Sequence, residues 1–391
     1  MPVFYWVAGI LLAWIWLGRL RDAAAGMPGV VDICRPEYDR VPQVNGVVPR
    51  VSIVVPARNE EAKVEEALAS LLRLDYPQYE VLAVDDRSTD ATGEIMEGVA
   101  AAHTGNPPLK VIHIHDLPAG WLGKPHAMWT AAQQAAGDWI LFTDADVMFR
   151  PDCLRRALAY AEETKADHLV VFPSYRVQGV GEAMMLAGFS LLFVFGHRPW
   201  KVADTRADDF MGLGPFNLIR RHAYEAIGTF QALRMEVIED MKLGKLVKQH
   251  GFAQRNVFGP GLLDWHWGHG AFGLVGNLTK NLFALMQYRW PRALGACLLL
   301  AFLNLMPFLG VWLAPGWAKA GYVVALTALA VLYLGLSRRV PISPLYFFTH
   351  PISTLLLIFT MLRSIAHVLR HGGVVWRGTR YSLEELRRGL V

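Results

Sequence analysis

The sequence predicts an α/β protein, with a mainly parallel sheet flanked by helices, carried together with transmembrane and interfacial helices. Three observations lead there. Between residues 50 and 260 short β-branched runs alternate with stretches of helical apolar spacing. Polar, carboxylate-rich loops follow several of those runs. Outside that region the chain is strongly apolar: its 391 residues are 53% hydrophobic and only 18% charged, which is too oily for an ordinary soluble enzyme.

Residues 3–18 are uncharged and contain Trp6, Trp14 and Trp16, with Arg19 and Arg21 directly after them. A signal peptide carries its positive charge before the apolar run, so the order here favours a membrane anchor over 1–22 with the following domain on the cytoplasmic side. The three cysteines, Cys34, Cys153 and Cys297, are scattered and lack metal-ligand spacing, in keeping with a reducing compartment. A net charge of +4 without a dense basic stripe suits an anionic lipid surface, not nucleic acid.

From residue 50 the expected order is strand "VSIVVPA", helix "EEAKVEEALASLLRL", strand "YEVLAVDD", helix "STDATGEIMEGVAAAH", strand "LKVIHIH", helix "PHAMWTAAQQAAG" and strand "DWILFTD". One helix between successive strands predicts a parallel sheet covered on both faces. Ligands then bind beyond the carboxyl ends of the strands, where "PARNE", "DDRSTD", the loop leading to "GWLGK" and "DAD" all fall. The first turn, "VPARNEEA", has no glycine. That absence argues against a dinucleotide-binding dehydrogenase, whose backbone must approach a pyrophosphate closely.

Asp144 and Asp146 stand two apart, and in an extended segment both would face one ligand. Two buried carboxylates that close repel each other unless a cation compensates. Mg2+ or Mn2+ suits them, since such ions take one or two carboxylates together with phosphate oxygens. Capping of a helix near Pro151 is the simpler explanation, but Phe142, Val147 and Phe149 make this edge too apolar for a merely solvated strand end.

Together "VVPARNEE" (54–61), "VDDRSTD" (84–90), "DAD" (144–146), "IEDMKLG" (238–244) and "YRW" (288–290) resemble glycosyltransferase family 2, the inverting transferases of GT-A fold, over about residues 50–292. The resemblance implies that Pro56, Arg58, Glu60 and Asp86 wall the pocket of a nucleotide-sugar donor. It implies that Asp144 contacts ribose and metal, that Asp146 is the principal metal ligand and that Asp240 is the base that deprotonates the acceptor. Arg289 and Trp290 would hold the diphosphate and cap the site. Processive relatives carry Q-x-x-R-W, whereas Met286 occupies the first position here, with glutamine at Gln287. That departure favours transfer of a single sugar over a polysaccharide synthase.

"LPAGWLGKPHA" is similar to a loop of the subgroup that glycosylates hopanoids, carotenoids and ceramides, which places Lys124 at the diphosphate or sugar and implies a lipid acceptor. "DWHWGHG" reads as an acceptor-side loop, with His266 or His269 as a metal ligand the less favoured alternative. The expected division is an anchor at 1–22, a cytoplasmic catalytic domain at 50–290, membrane segments over 293–362 and a basic tail at 363–391. The run 183–196 is expected to lie at the interface. Apolar segments at 293–315, 321–336 and 345–362 approach spanning length. The tail is expected inside the cell, which requires the first of them, broken by Asn304 and Pro307, to be re-entrant. The protein is thus expected in the inner membrane, transferring one sugar, UDP-hexose being the anticipated donor. A scaffold that binds nucleotide-sugar without turnover is disfavoured by the intact Asp146 and Asp240.

Overall fold

The computed structural model describes residues 2–268 and 270–391. In chain order, helix α1 (Pro2–Gly26) precedes β1 (Val51–Ala57), α2 (Val64–Leu71), β2 (Tyr79–Asp86), α3 (Thr92–Ala102), β3 (Leu109–Ile114), α4 (Gly123–Ala132), β4 (Trp139–Phe142), β5 (Val147–Phe149) and α5 (Cys153–Glu163). Then come β6 (His168–Phe172), β7 (Ser174–Tyr175), α6 (Val180–His197), β8 (Asn217–Arg220), α7 (Arg221–Ala226), α8 (Thr229–Ala232), α9 (Glu239–Gln249), β9 (Gln254–Phe258), β10 (Leu263–Trp265) and α10 (Gly270–Leu285). The chain continues through α11 (Trp290–Asn304), α12 (Met306–Leu313), α13 (Lys319–Ser337), α14 (His350–His371), β11 (Gly373–Trp376), β12 (Thr379–Ser382) and α15 (Leu383–Arg388).

Two compact units divide the described residues. A sheet unit holds 30–176, 201–266 and 377–391; a helical unit draws on 1–29, 177–200 and 267–376. The bounds of these units differ from the linear division expected from the sequence at two places. Residues 177–200 and 267–290 leave the expected 50–290 domain because α6 and α10 are apolar and pack with α14 in the helical unit. Residues 377–391 leave the expected tail and fold into the sheet unit.

The main sheet has seven strands in the order β3-β2-β1-β4-β8-β6-β9. It is parallel apart from β8, which runs antiparallel to both β4 and β6. Every residue of β1 is buried, as expected of a central strand covered on both faces. Alternation along it feeds two cores. Ile53 and Val55 pack with Leu68 and Leu71 of α2 and Leu158 of α5, while Val54 packs with Ala127 and Met128 of α4 and Leu243 of α9 on the opposite face. Each such fully buried aliphatic side chain contributes roughly 1.5–3 kcal/mol. Because α4 and α9 bury against one face, their N-terminal turns emerge together at one end of the sheet.

In the helical unit α1 packs along α13. Gly9 and Gly321 meet backbone to backbone, and the Tyr322 hydroxyl donates to the Tyr5 carbonyl at 3.0 Å. Among the described residues, four helical stretches are long and apolar enough to cross a membrane: Val3–Gly29, Val180–Lys201, Gly316–Ser337 and Pro344–His371. The pair α11 and α12 qualifies only jointly, bent by 48°. Pro307 cannot donate a backbone hydrogen bond at that bend. Beside it Asn304 donates to the Leu300 carbonyl at 2.9 Å, and His350 links the Asn304 oxygen (2.9 Å) to the Tyr333 hydroxyl (2.8 Å). The apolar run expected at 183–196 is a longer helix, α6, with much of its surface buried.

Candidate active site

The site lies in the sheet unit, where β4 ends. Asp144 and Asp146 sit in a turn between β4 and β5, not in the extended segment expected, because the chain leaves the main sheet after Phe142 and joins the small β5-β10-β7 sheet. The buried Ala145 forms the inside of that turn. The two carboxylates consequently have different partners. Asp144 meets the Lys124 ammonium at 2.6 Å, and the same ammonium reaches Glu239 at 2.8 Å. Asp146 meets Lys63 at 3.4 Å and accepts from the Trp265 indole at 3.1 Å.

Helix α9 delivers Asp240 to this cluster in its first turn. One Asp240 oxygen accepts from the Gly214 N–H at 2.9 Å and the other from the Met241 N–H at 2.7 Å, while the Asn217 amide donates to the Asp240 carbonyl at 3.3 Å. The loop 211–216 approaches so closely that a side chain at Gly214 would overlap the Asp144 carboxylate, and one at Gly244 would strike the Met211 carbonyl.

Four carboxylates thus gather around two ammonium groups, a surplus of two negative charges. Burial, and then Asp144, push Asp146 up to about 6, against the pull of Lys63. Burial, and then Glu239, push Asp240 up to about 6, against Lys124. Burial alone would depress the Lys124 ammonium, yet Asp144, Glu239 and Asp240 hold it above the usual lysine range. Lys124, one of the expected donor-site residues, stands in the first turn of α4 and bridges Asp144 and Glu239. Oxygen-only donors with a surplus of two charges fit a hard divalent cation. Among the described residues no three His, Cys, Asp or Glu side chains make a metal site by themselves, so Asp144 and Asp146 fit an ion that takes its remaining oxygens from water and phosphate.

The other expected donor residues lie at the ends of β1 and β2. Pro56 is buried in β1 opposite Val84. The two loops are laced together: the Asn59 side chain accepts from the Thr89 N–H at 2.8 Å, and the Glu60 N–H donates to the Thr92 hydroxyl at 2.7 Å. Asp86 accepts from its neighbour Arg87 at 2.8 and 3.2 Å. Arg87 reaches it from φ 57°, a left-handed conformation that costs a branched or long side chain energy. Arg58 and Glu60 both meet residues from the far end of the chain: Arg58 donates to the Thr379 hydroxyl at 3.3 Å, and Glu60 pairs with Arg377 at 2.5 Å.

Arg289 and Trp290 belong to the helical unit, at the start of α11, with Trp290 more than half exposed. Just before them Gln287 and Tyr288 both take φ 54°, and Arg292 donates to the Gln287 side chain. His266 follows β10 and takes part in no metal-binding group among the described residues. His269 lies outside those residues.

Residues 52–241 match the family model described as Glycosyl transferase family 2. Over those residues the chain is similar to the family 2 glycosyltransferases. A 4,4'-diaponeurosporenoate glycosyltransferase of Staphylococcus aureus strain RF122 is 25% identical over 380 residues, spanning 95% of this chain and 99% of that protein. The homologue from strain USA300 gives 25% over 384 residues, with the same coverage of both chains. A mannosyltransferase from Pyrobaculum calidifontis, solved with GDP-Man and Mn2+, superposes with a TM-score of 0.54 at 19% identity, covering 92% of this chain and 99% of that one. The fold is that GT-A fold, and the protein is a glycosyltransferase. Sequence reasoning missed Lys63, Glu239 as the partner of Lys124, the Gly214 N–H and the residues beyond 376. The glycines of "MGLGPF" were the one visible sign of the close loop approach.

Proposed function

We propose that this glycosyltransferase moves a single sugar from a nucleotide-sugar, a UDP-hexose in the first instance, to the hydroxyl or carboxyl of a lipid. The observation that carries the reading is the Lys124 bridge, which puts the Asp144 turn and the first turn of α9 with Asp240 into one cluster. Asp144 and Asp146 would hold a divalent ion, Mg2+ or Mn2+, against the donor diphosphate, where it offsets the charge that grows on the leaving nucleotide. Asp240, kept partly protonatable by its buried acidic surroundings, takes the acceptor proton. Pro56, Arg58, Glu60 and Asp86 line the nucleotide end, and Arg289 and Trp290 remain candidates for the diphosphate. The S. aureus relatives, named for a 4,4'-diaponeurosporenoate acceptor, support a lipid-type acceptor.

Chain connectivity supports a topology different from the one expected. Both ends of α6 join the sheet unit, so α6 does not cross. The start of α13 lies beside the start of α1, whose other end leads into the sheet unit. Hence α11 with α12 forms one bent crossing outward and α13 returns. The end of α13 and residue 377 are then on the same side, so α14 lies along the interface with α6 and α10. Arg19, Arg21, Arg338 and Arg339 all fall on the catalytic side, as the positive-inside rule requires. Lys319→Cys should label from outside intact cells and Arg339→Cys only after permeabilisation; the reverse would refute this topology.

The functional reading is tested with purified protein, Mn2+ and a panel of UDP- and GDP-sugars, alongside mass spectrometry of host lipids with and without the gene. A hexosylated lipid present only with the gene, together with donor turnover, is expected. Long glycan chains would replace the reading with a polysaccharide synthase, and donor binding without turnover would replace it with a scaffold.

A further inference from the structure

Residues 377–391 lie beyond the 52–241 region that matches the family, yet they fold into the same unit as the site. The segment is seated: Tyr381 and Leu386 are buried, and a capping box between Ser382 and Glu385 starts α15. Its first part meets the nucleotide end. Arg377 donates to the Arg58 carbonyl and pairs with Glu60 at 2.5 Å, and Thr379 accepts from Arg58 at 3.3 Å. The Tyr381 hydroxyl accepts from the Gly123 N–H at 3.3 Å, and Gly123 lies against the Arg87 guanidinium and the Asp86 carboxylate, which are joined by two hydrogen bonds.

Its last part meets the other end of the site. The Val391 N–H donates to Glu236 at 2.6 Å, and the Val391 carbonyl accepts from Lys245 at 3.0 Å and from Lys242. Glu236 stands just before α9, and both lysines are on it. The segment therefore runs as a strap from the loop after β1, past the start of α4, to the helix that carries Asp240.

The charge at the strap's first end is unusual. Arg87 and Arg377 both act on Arg58 as like charges, and the Arg58 Nε is buried with no hydrogen-bond partner among the described residues. Burial and then Arg87 depress the Arg58 guanidinium, with Arg377 adding to the effect. Such a cluster is stabilised by an anion. A nucleoside diphosphate is the anion that the proposed function brings to these walls.

We propose that the strap is a working wall of the donor pocket, in which Arg377 and Tyr381 are positioning residues: Arg377 sets the Arg58–Glu60 wall, and Tyr381 sets the Arg87–Asp86 pair. This rests on the donor-binding reading above. The strap does not make the reaction's bonds; it fixes the residues that hold the donor, so its loss weakens donor binding more than it slows chemistry in the donor-saturated enzyme.

The test titrates UDP and GDP, each with Mn2+, into the full-length detergent-solubilised protein by calorimetry. Wild type, Arg377→Gln, Arg377→Lys, Tyr381→Phe and Arg380→Gln are compared, the last being exposed on the same strand. The first and third variants should weaken nucleotide binding about tenfold, the lysine variant should recover part of the loss, and Arg380→Gln should bind as wild type does. In turnover the loss should appear in the donor KM with kcat within about threefold. Nucleotide with Mn2+ should also slow tryptic cleavage after Arg377 and Arg380 in the wild type, a readout that survives even if one variant folds poorly. Unchanged affinity in both Arg377→Gln and Tyr381→Phe, or cleavage indifferent to nucleotide, would overturn the strap while leaving the glycosyltransferase reading intact. A wild type that binds neither nucleotide would remove the donor pocket and the strap with it.

Discussion

The carboxylate cluster around Asp146 and Asp240 and the guanidinium cluster around Arg58 carry opposite charge, and the chain assembles them differently. The acidic cluster comes from strand ends and helix starts within 52–241, so each member is fixed by the sheet that precedes it. Its surplus charge is partly met inside the protein by Lys63 and Lys124. The basic cluster needs Arg377, a residue that arrives only after the whole helical unit. The difference suggests a division of labour, in which one end awaits a cation and supplies chemistry while the other awaits an anion and supplies grip.

The sharpest way to break that division is Asp146→Ala. A single remaining carboxylate, already bound to Lys124, cannot hold a phosphate-bridged ion. Mn2+-dependent turnover should vanish; a residual rate above a tenth of wild type, about 1.4 kcal/mol or less in barrier, would remove Asp146 from the metal role. Next in size is Asp240→Asn, which keeps shape but cannot accept a proton. The rate should fall by about 10² to 10⁴ with donor affinity within a few-fold. Should the acceptor be a carboxylate already ionised at neutral pH, the loss should be small, so the variant also reports the acceptor's chemistry. Equal loss of donor binding and rate would move Asp240 into the donor pocket.

Much of the acidic cluster was legible in the sequence because its members follow strand and helix signals at short range. "DWILFTDAD" announces a buried strand ending in carboxylates, and "VIEDMKLG" a helix with an acidic first turn. The turn at Ala145 was not legible, since it depends on β5 leaving for a second sheet that includes β10, far along the chain. Lys63 and Trp265 reach Asp146 from opposite sides of the sequence, and no local pattern marks either. The strap was hidden for the same reason: "WRGTRYSLEEL" reads as a basic tail until Tyr381 and Leu386 are found buried.

The pH profile separates the two clusters further. Asp146 and Asp240 are both raised to about 6, so their charged forms are disfavoured and each is neutralised as pH falls through that value. A protonated Asp240 cannot act as base, and a protonated Asp146 competes with metal. At limiting metal, kcat/KM should therefore fall by about 10- to 100-fold between pH 7 and 5, since each proton contributes up to tenfold per unit. At saturating metal the steeper part should disappear, leaving the limb of Asp240. Nucleotide binding at the guanidinium end should change much less over this range, because arginine stays charged throughout. A flat activity profile would mean that neither carboxylate titrates in the working enzyme.

The smallest effect is expected from Trp265→Phe, and it tests how finely the acidic cluster is tuned. The indole N–H donates to Asp146 at 3.1 Å and favours its ionised form, while the ring packs beside Tyr175. Phenylalanine retains an aromatic face and removes only the donor. Losing one hydrogen bond to a carboxylate is worth about 1.5–3 kcal/mol when fully buried, but Lys63 remains beside Asp146 to compensate. A few-fold rise in the Mn2+ concentration for half-maximal activity is expected. The sign with pH is fixed: without the indole the Asp146 carboxylate holds its proton to higher pH, so the defect should be larger at pH 6 than at pH 8, where both forms of the enzyme are ionised. A defect that is equal at the two pH values would mean that Trp265 shapes the turn without tuning its charge.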